Sequence, residues 1–205
     1  MARIKHTKTE LKAQSDALKR FRHFLPMLQL KKQQLQAEIA HVDARIDAVA
    51  RQEQELRAGL KAWVGLFADE RVEPDGLVRL EGVDTETGNI AGVSIPVFKQ
   101  VRTARAELDL FATPSWLDDA QEVIEALLAC RAEIAVLEVE RRRVGEELRV
   151  TAQRVNLFEK VKIPECRENI RIIRIFLGDE QTAAVARGKM AKRRAELRRE
   201  QEQVA

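Results

Sequence analysis

Between Leu11 and Trp63 apolar residues recur at alternating steps of three and four, and this repeat constrains the fold more than any other feature of the chain. One row reads Leu11, Leu18, Leu25, Lys32, Ile39, Ile46, Glu53 and Leu60. The other reads Gln14, Phe21, Leu28, Leu35, Val42, Val49, Leu56 and Trp63. A second seam runs from Ala120 through Val123, Leu127, Cys130, Ile134, Leu137, Val144, Leu148 and Val155 to Phe158, interrupted by Arg141 and Thr151. Narrow seams sustained over many heptads belong to paired helices, not to a wide globular core. The pattern predicts a mainly α fold: a long antiparallel two-helix coiled coil with a short inserted β-hairpin and a short helix at the turn end. The polar seam residues Lys32, Glu53 and Arg141 fit register control or snorkelling. A seam that opens there, or a partner that supplies counter-charge, is the alternative.

The chain divides into three segments on this reading: a first coiled-coil helix over 1–67, an insert over 68–113, and a return helix with a basic tail over 114–205. The first helix starts near Thr7 or Thr9, and Glu10 stands at capping-box spacing from Thr7. Pro26 falls inside the pattern, but Leu25 and Leu28 keep the heptad phase, which predicts a kink and not a break. Glu73-Pro74-Asp75-Gly76 is a turn signal. Two strands follow, about 77–83 and 90–97, with Gly88-Asn89 in the connection. In the second, Ala91, Val93, Ile95 and Val97 share one face, and Pro96 marks an edge. A lone hairpin is marginal in water, so this one should lean on a helix or a partner. Residues 99–112 read as a short helix with Val101, Ala104, Leu108 and Phe111 on one face. Thr113 suits an N-cap and Pro114 the first position of the return helix. Near Pro164 the seam slips by about one residue and resumes at Ile163, Cys166, Ile170, Ile173 and Leu177. Beyond Gly178 the apolar pattern thins to Val185, Met190 and Leu197, a helical tail that frays unless enclosed.

Charged residues make up 34% of the chain and aromatics 4%, as exposed faces around a narrow seam require. The net charge of +3 is unevenly placed. Lys5, Lys8 and Lys12 begin the first helix, and Arg187, Lys189, Lys192 and Arg193 lie in the tail. Acidic residues from Asp69 to Glu86 crowd the middle. An antiparallel hairpin therefore has a basic end and an acidic turn end. These are either ordinary solvated faces or a basic tip that meets an acidic or polar sleeve, or phosphate. No apolar run is long enough for a transmembrane helix, and no signal-peptide core follows Met1. The isolated Cys130 and Cys166 suggest buried thiols in a reducing compartment and no disulfide framework.

Catalytic chemistry is not encoded in any recognisable spacing. His6, His23 and His41 are scattered on one helix and no Cys-x-x-Cys exists, so no metal site is expected. No phosphate-binding loop or nucleophile elbow occurs. The expectation is a protein without an intrinsic active site or cofactor, whose function lies in what it touches.

Several stretches, taken in order, resemble one family. Thr7-Lys8-Thr9-Glu10-Leu11 resembles a Thr-Lys-x-Glu-Leu opening. Leu30-Lys31-Lys32-Gln33-Gln34-Leu35 falls where members carry a more basic stretch. Asn89-Ile90-Ala91-Gly92-Val93-Ser94-Ile95-Pro96 is similar to an Asn-x-x-Gly-Val-x-x-Pro signature. Thr113-Pro114-Ser115-Trp116-Leu117-Asp118 resembles the start of the return helix. Arg154-Val155-Asn156-Leu157-Phe158-Glu159 with Ile163-Pro164 resembles Arg-Val-Asn-Ala-Leu-Glu and a following Ile-Pro. The family is that of the D subunits of V/A-type rotary ATPases, and the resemblance covers nearly the whole chain. Pro26, Leu157-Phe158 and the region around Gly178 depart from it.

The resemblance implies a central-stalk shaft that carries torque between ATP chemistry in a hexamer of A and B subunits and ion flow through a membrane ring. It implies the small F and the funnel-shaped C subunits as further partners, and a place at the cytoplasmic face of a membrane. On that view Lys5, Lys8, Lys12, Arg187, Lys189, Lys192 and Arg193 contact the bore of the hexamer. The hairpin, with Asn89, Gly92, Val93 and Ile95, meets the F or C subunit. A coiled-coil nucleic-acid binder and a homo-oligomeric scaffold are the competing readings. The first lacks interleaved aromatics, and the second needs parallel self-pairing.

Overall fold

The heptad residues do form helices, in a computed structural model that describes residues 4–61, 76–108, 114 and 116–204. Helix α1 spans Lys8–Lys61 and continues through Pro26. Its start is fixed by Thr7, whose Oγ1 accepts the Glu10 N–H at 3.2 Å and whose carbonyl accepts the Leu11 N–H at 3.0 Å. A threonine cap followed by an acidic first turn suits the positive end of the helix dipole. Strands β1 (Val78–Ile90) and β2 (Val93–Arg105) follow, then helix α2 (Trp116–Leu157), a π-helical turn (Phe158–Lys162) and helix α3 (Ile163–Val204). At the start of α2 the Pro114 carbonyl accepts the Leu117 N–H at 3.2 Å. Trp63, the turn at 73–75, Phe111, the cap assigned to Thr113 and the two segment boundaries lie outside the described residues.

The insert departs from expectation in two ways. Both strands are thirteen residues long, and β2 includes residues 99–105, for which the sequence predicts a short helix. These residues are strand because they have partners: Val101 pairs with Val83, Arg102 with Gly82, Thr103 with Leu80 and Ala104 with Arg79. The reversal is also not at Gly88-Asn89. It is a two-residue turn at Ala91-Gly92, both at positive φ (50° and 84°), the backbone of a type I′ hairpin. Asn89 supports this turn from outside, since its Oδ1 accepts the Gly92 N–H at 3.0 Å. Two irregularities, at Leu80/Gly82 and at Asp84/Thr85, interrupt the ladder.

The chain forms two compact units, and each draws on both long helical segments. One comprises Leu30–Thr151. Within it α1 and α2 run antiparallel, with Val42, Val49, Cys130 and Leu137 in one buried cluster. Leu35 and Val144 form a second cluster, into which β2 contributes Ile95. A third joins Leu77 and Leu117 beneath Leu108, Trp116 and Ile124.

The other unit comprises Met1–Gln29 with Ala152–Ala205. Here Phe21 stacks against Phe158 with ring centroids 4.9 Å apart, and His6 against Phe176 at 4.8 Å. The seam slip read near Pro164 is real, and the π turn is its physical form. Val155 is buried before the turn, and Ile163, Cys166, Ile170 and Ile173 are buried after it. The step from Phe158 to Ile163 is five residues instead of four, and a π turn absorbs one extra residue without breaking the helix. From Gly178 to Arg199 every residue is exposed, yet the helix persists.

Candidate functional site

The hairpin is fastened to the helices of its unit at both ends. Near the tip, Ile95 is 3% exposed between Leu35 and Val144, and Ile90, Val93 and Val97 pack around them. The face shared by Val93, Ile95 and Val97 is thus the one packed against the helices. Arg143 of α2 adds a guanidinium N–H to the Ser94 carbonyl at 3.1 Å. At the open end, the Gln121 amide donates to the carbonyls of Leu77 (3.1 Å) and Ala106 (3.0 Å). Gln121 is buried, and this double use of its NH2 group supplies the hydrogen bonds that burial demands. Glu125, one turn on, accepts from Arg105 and Thr103 on β2. The Arg105 guanidinium and then the Thr103 hydroxyl hold the Glu125 carboxyl below the usual carboxylate range. None of these fasteners is visible in the sequence, because each joins residues far apart along the chain.

The predicted hairpin residues therefore divide. Asn89 and Gly92 are exposed at the tip and Val93 is half-buried. Ile95 faces inward and holds the hairpin in place. Beside the hairpin an apolar groove of about 600 Å³ is lined by Leu80, Val83 and Pro96 and by Leu128, Val136 and Val139 of α2. Leu80 is 43% exposed there.

Two of the polar seam residues, Glu53 and Arg141, are paired across the helices. Glu53 accepts from Arg131 at 3.0 Å and pairs with Arg57 at 2.6 Å. Arg141 is exposed at the seam edge and bridges to Asp43 at 2.7 Å. Lys32 is half-buried, while its neighbour Lys31 reaches Glu147 at 2.6 Å. The residue turned inward beside Arg141 is Glu140, 2% exposed, with the Arg45 guanidinium 3.8 Å away. Burial pushes the Glu140 carboxyl up, against the opposing pull of Arg45. Sequence reasoning missed Glu140, since either it or Arg141 could fill the step between Leu137 and Val144.

The basic residues lie in the other unit, and all seven are exposed. Lys5, Lys8 and Lys12 flank the start of α1, near the level at which His6 meets Phe176. Arg187 lies eleven residues past Phe176 on α3, about 16 Å further along a helix. The two groups thus share one end of their unit but stand at successive levels. Lys192 has Glu196 at 3.8 Å beside it. Cys130 and Cys166 are free and buried, and desolvation raises both thiols. Among the described residues no helix is long and apolar enough to cross a membrane.

Comparison with known proteins agrees over nearly the full length. The family model for the D subunit of ATP synthase matches residues 10–193. In Borreliella burgdorferi the D subunit of a V-type ATP synthase is 41% identical over 192 residues, covering 94% of this chain and 95% of the relative. Proteins of the same name from Chlamydia pneumoniae and Chlamydia trachomatis serovar L2 are 33% and 34% identical, over 96% and 97% of this chain. They are themselves covered over 95% and 99% of their lengths.

Proposed function

We propose that this chain, which belongs to the family of ATP synthase D subunits, is the central-stalk shaft of a V-type rotary ATPase. One observation carries the reading beyond the family match: both units are paired helices whose seams are closed by apolar side chains, and in Leu30–Thr151 by cross-helix ion pairs as well. Torque along a helix pair is resisted by side chains that interlock across the seam. A chain built this way suits transmission and leaves catalysis to other subunits.

In this role the shaft turns within a hexamer of A and B subunits and couples ATP chemistry there to ion movement in a membrane ring. Lys5, Lys8, Lys12, Arg187, Lys189, Lys192 and Arg193 face the bore as two successive basic collars. Asn89, Gly92 and Val93 present the outer tip of the hairpin to the F subunit or to the funnel-shaped C subunit, and Ile95 fixes the angle at which they are offered. The complex lies at the cytoplasmic face of the membrane.

Affinity purification of the tagged chain followed by native mass spectrometry tests the assignment. One copy with three A, three B and one F subunit is the expected recovery; a self-dimer alone, or bound nucleic acid, would refute it. Neutralising the seven basic residues to Gln should lower ATPase in the assembled complex while circular dichroism stays unchanged. Unchanged activity and assembly would remove the basic residues from the mechanism. The family match gives no support to the scaffold or nucleic-acid readings.

A further inference from the structure

The π turn divides two heptad phases, and the sequence beyond it carries both. Continuing from Val155 and Phe158 by steps of four and three leads to Lys162, Glu165, Asn169, Ile172 and Phe176. The seam actually buried is displaced by one residue: Ile163, Cys166, Ile170 and Ile173. The unused phase is polar near the turn and apolar further on. Ile172 and Phe176 are exposed large hydrophobics, at 37% and 46%, and the Phe176 ring meets that of His6 at 4.8 Å. Lys162 and Glu165 already pair at 3.0 Å, so they neutralise one another wherever they lie. Asn169 is 8% exposed now, and its amide reaches Gln14 on α1 at 3.4 Å. It stands between the two phases.

We propose that the π turn at Phe158–Lys162 is a one-residue register switch. The return helix passes between the observed state, with Ile163, Cys166, Ile170 and Ile173 inward, and an all-α state with Lys162, Glu165, Asn169, Ile172 and Phe176 inward. Losing the extra residue of the turn rotates everything beyond it by about 100° and shifts it by about 1.5 Å, the increments of one α-helical residue. Two features permit this. No residue of the π turn is buried, and Phe158, which stacks on Phe21, lies on the inward side in both phases. Every residue from Gly178 to Arg199 is exposed, so within the described structure no packing opposes rotation of the tail. The observed state dominates in the free chain because its seam is the more apolar. A surface that covered Ile163, Ile170 and Ile173 once they turn outward would shift the balance, because a ligand moves an equilibrium only by its differential affinity for the two states.

The two cysteines report on the switch. Cys166 (5% exposed) and Cys130 (6% exposed) are equally buried, and burial raises both thiols, so thiol chemistry does not favour either. In the all-α state Cys166 leaves the seam, while Cys130 in the other unit stays enclosed. N-ethylmaleimide labelling of the full-length chain, followed by peptide mass spectrometry, measures both rates. Cys166 is expected to label at least about tenfold faster than Cys130, as distinct local-opening units do. Lys162→Leu with Glu165→Leu makes the second seam apolar and should accelerate Cys166 by a further factor of about ten, leaving Cys130 unchanged. Deleting Val161 lets an ordinary α-helix carry the present seam and should slow Cys166 to the rate of Cys130. Circular dichroism confirms that each variant is folded, and the double substitution stands as a test even if the deletion does not fold. Equal slow labelling of both cysteines in the unaltered chain and in the double variant would overturn the switch. So would fast labelling of Cys166 that survives deletion of Val161, since end fraying would then be its cause.

Discussion

Ile95→Ala removes the side chain that inserts the hairpin between the two helices of its unit. Ile95 is 3% exposed and shares its cluster with Leu35 and Val144, both at 0%. Three carbons are lost, worth about 2.4 kcal/mol in transfer at ~0.8 kcal/mol per buried CH2. The residual cavity raises the cost to about 3–4 kcal/mol, within the range for buried Ile→Ala changes. The loss falls unevenly. Helices α1 and α2 keep Val42, Val49, Cys130 and Leu137, whereas the hairpin keeps the half-buried Ile90, Val93 and Val97 and the Arg143 bond near its tip, and Gln121 and Glu125 at its open end. Hydrogen exchange should therefore show amides of β1 and β2 near the tip exchanging roughly a hundredfold to several hundredfold faster, each factor of ten corresponding to ~1.4 kcal/mol. Helical amides around Leu137 should change far less. Leu80→Ala, at a residue 43% exposed, is the control and should cost under about 1 kcal/mol. Wild-type exchange in the strands of the Ile95→Ala chain, with stability within about 0.5 kcal/mol, would refute docking of the hairpin through this residue.

Three further outcomes follow from the same unit. Gly88→Ala would put a Cβ 2.9 Å from Val97 Cγ2 and 3.3 Å from Ile95 Cγ1, so urea unfolding should show a loss of about 1–3 kcal/mol, as overpacking gives. Glu125→Gln should destabilise at neutral pH, because a carboxyl held below its usual 4.5 contributes stability that is present above that value and lost as pH falls through the depressed one. Thermal melts from pH 7 downward should therefore show the two chains converging in acid, and a constant gap would exclude the Arg105 and Thr103 contacts as the cause. Glu53→Leu fills a polar seam position, and its melting temperature should equal or exceed that of the unaltered chain, since the exposed Arg131 and Arg57 stay hydrated and such pairs contribute little, while leucine buries apolar surface.

Periodicity makes the helices legible, and local chemistry hides the ends of the hairpin. Thr7 and the one-residue slip near Pro164 are readable because caps and heptad phase are local properties of sequence. Gly88-Asn89 has the look of a reversal because those residue types favour turns. The chain instead uses Ala91 at φ 50°, and it tolerates this because Asn89 accepts the Gly92 N–H across the turn. Gly88 serves another purpose. It sits opposite Ile95, where a side chain would meet Ile95 and Val97. Residues 99–105 carry apolar side chains at helix-like spacing, yet their strand partners at 78–84 and the Glu125 contacts to Thr103 and Arg105 decide the matter. Those partners are tertiary, and no window of sequence contains them.

The charges beside the seam settle a question that apolar side chains leave open. A heptad seam pairs almost as well when one helix slides by seven residues, because apolar positions then meet apolar positions again. The flanking pairs remove that degeneracy in Leu30–Thr151. The observed alignment sets Lys31 against Glu147, Arg45 against Glu133, Asp43 against Arg141 and Glu53 against Arg131. Sliding α2 by one heptad in one direction brings Lys31 to Arg154 and Glu53 to Glu138, two like-charge encounters. Sliding it the other way sets Asp43 against Ile134 and Glu53 against Ile124, which removes two cross-helix ion pairs. Each exposed pair contributes little to stability on its own. Together they make both neighbouring alignments worse, which is how charge confers specificity. Beyond Thr151 the Met1–Gln29 unit has far fewer such pairs across its seam among the described residues, and there the one-residue π turn is the feature that sets which residues face inward.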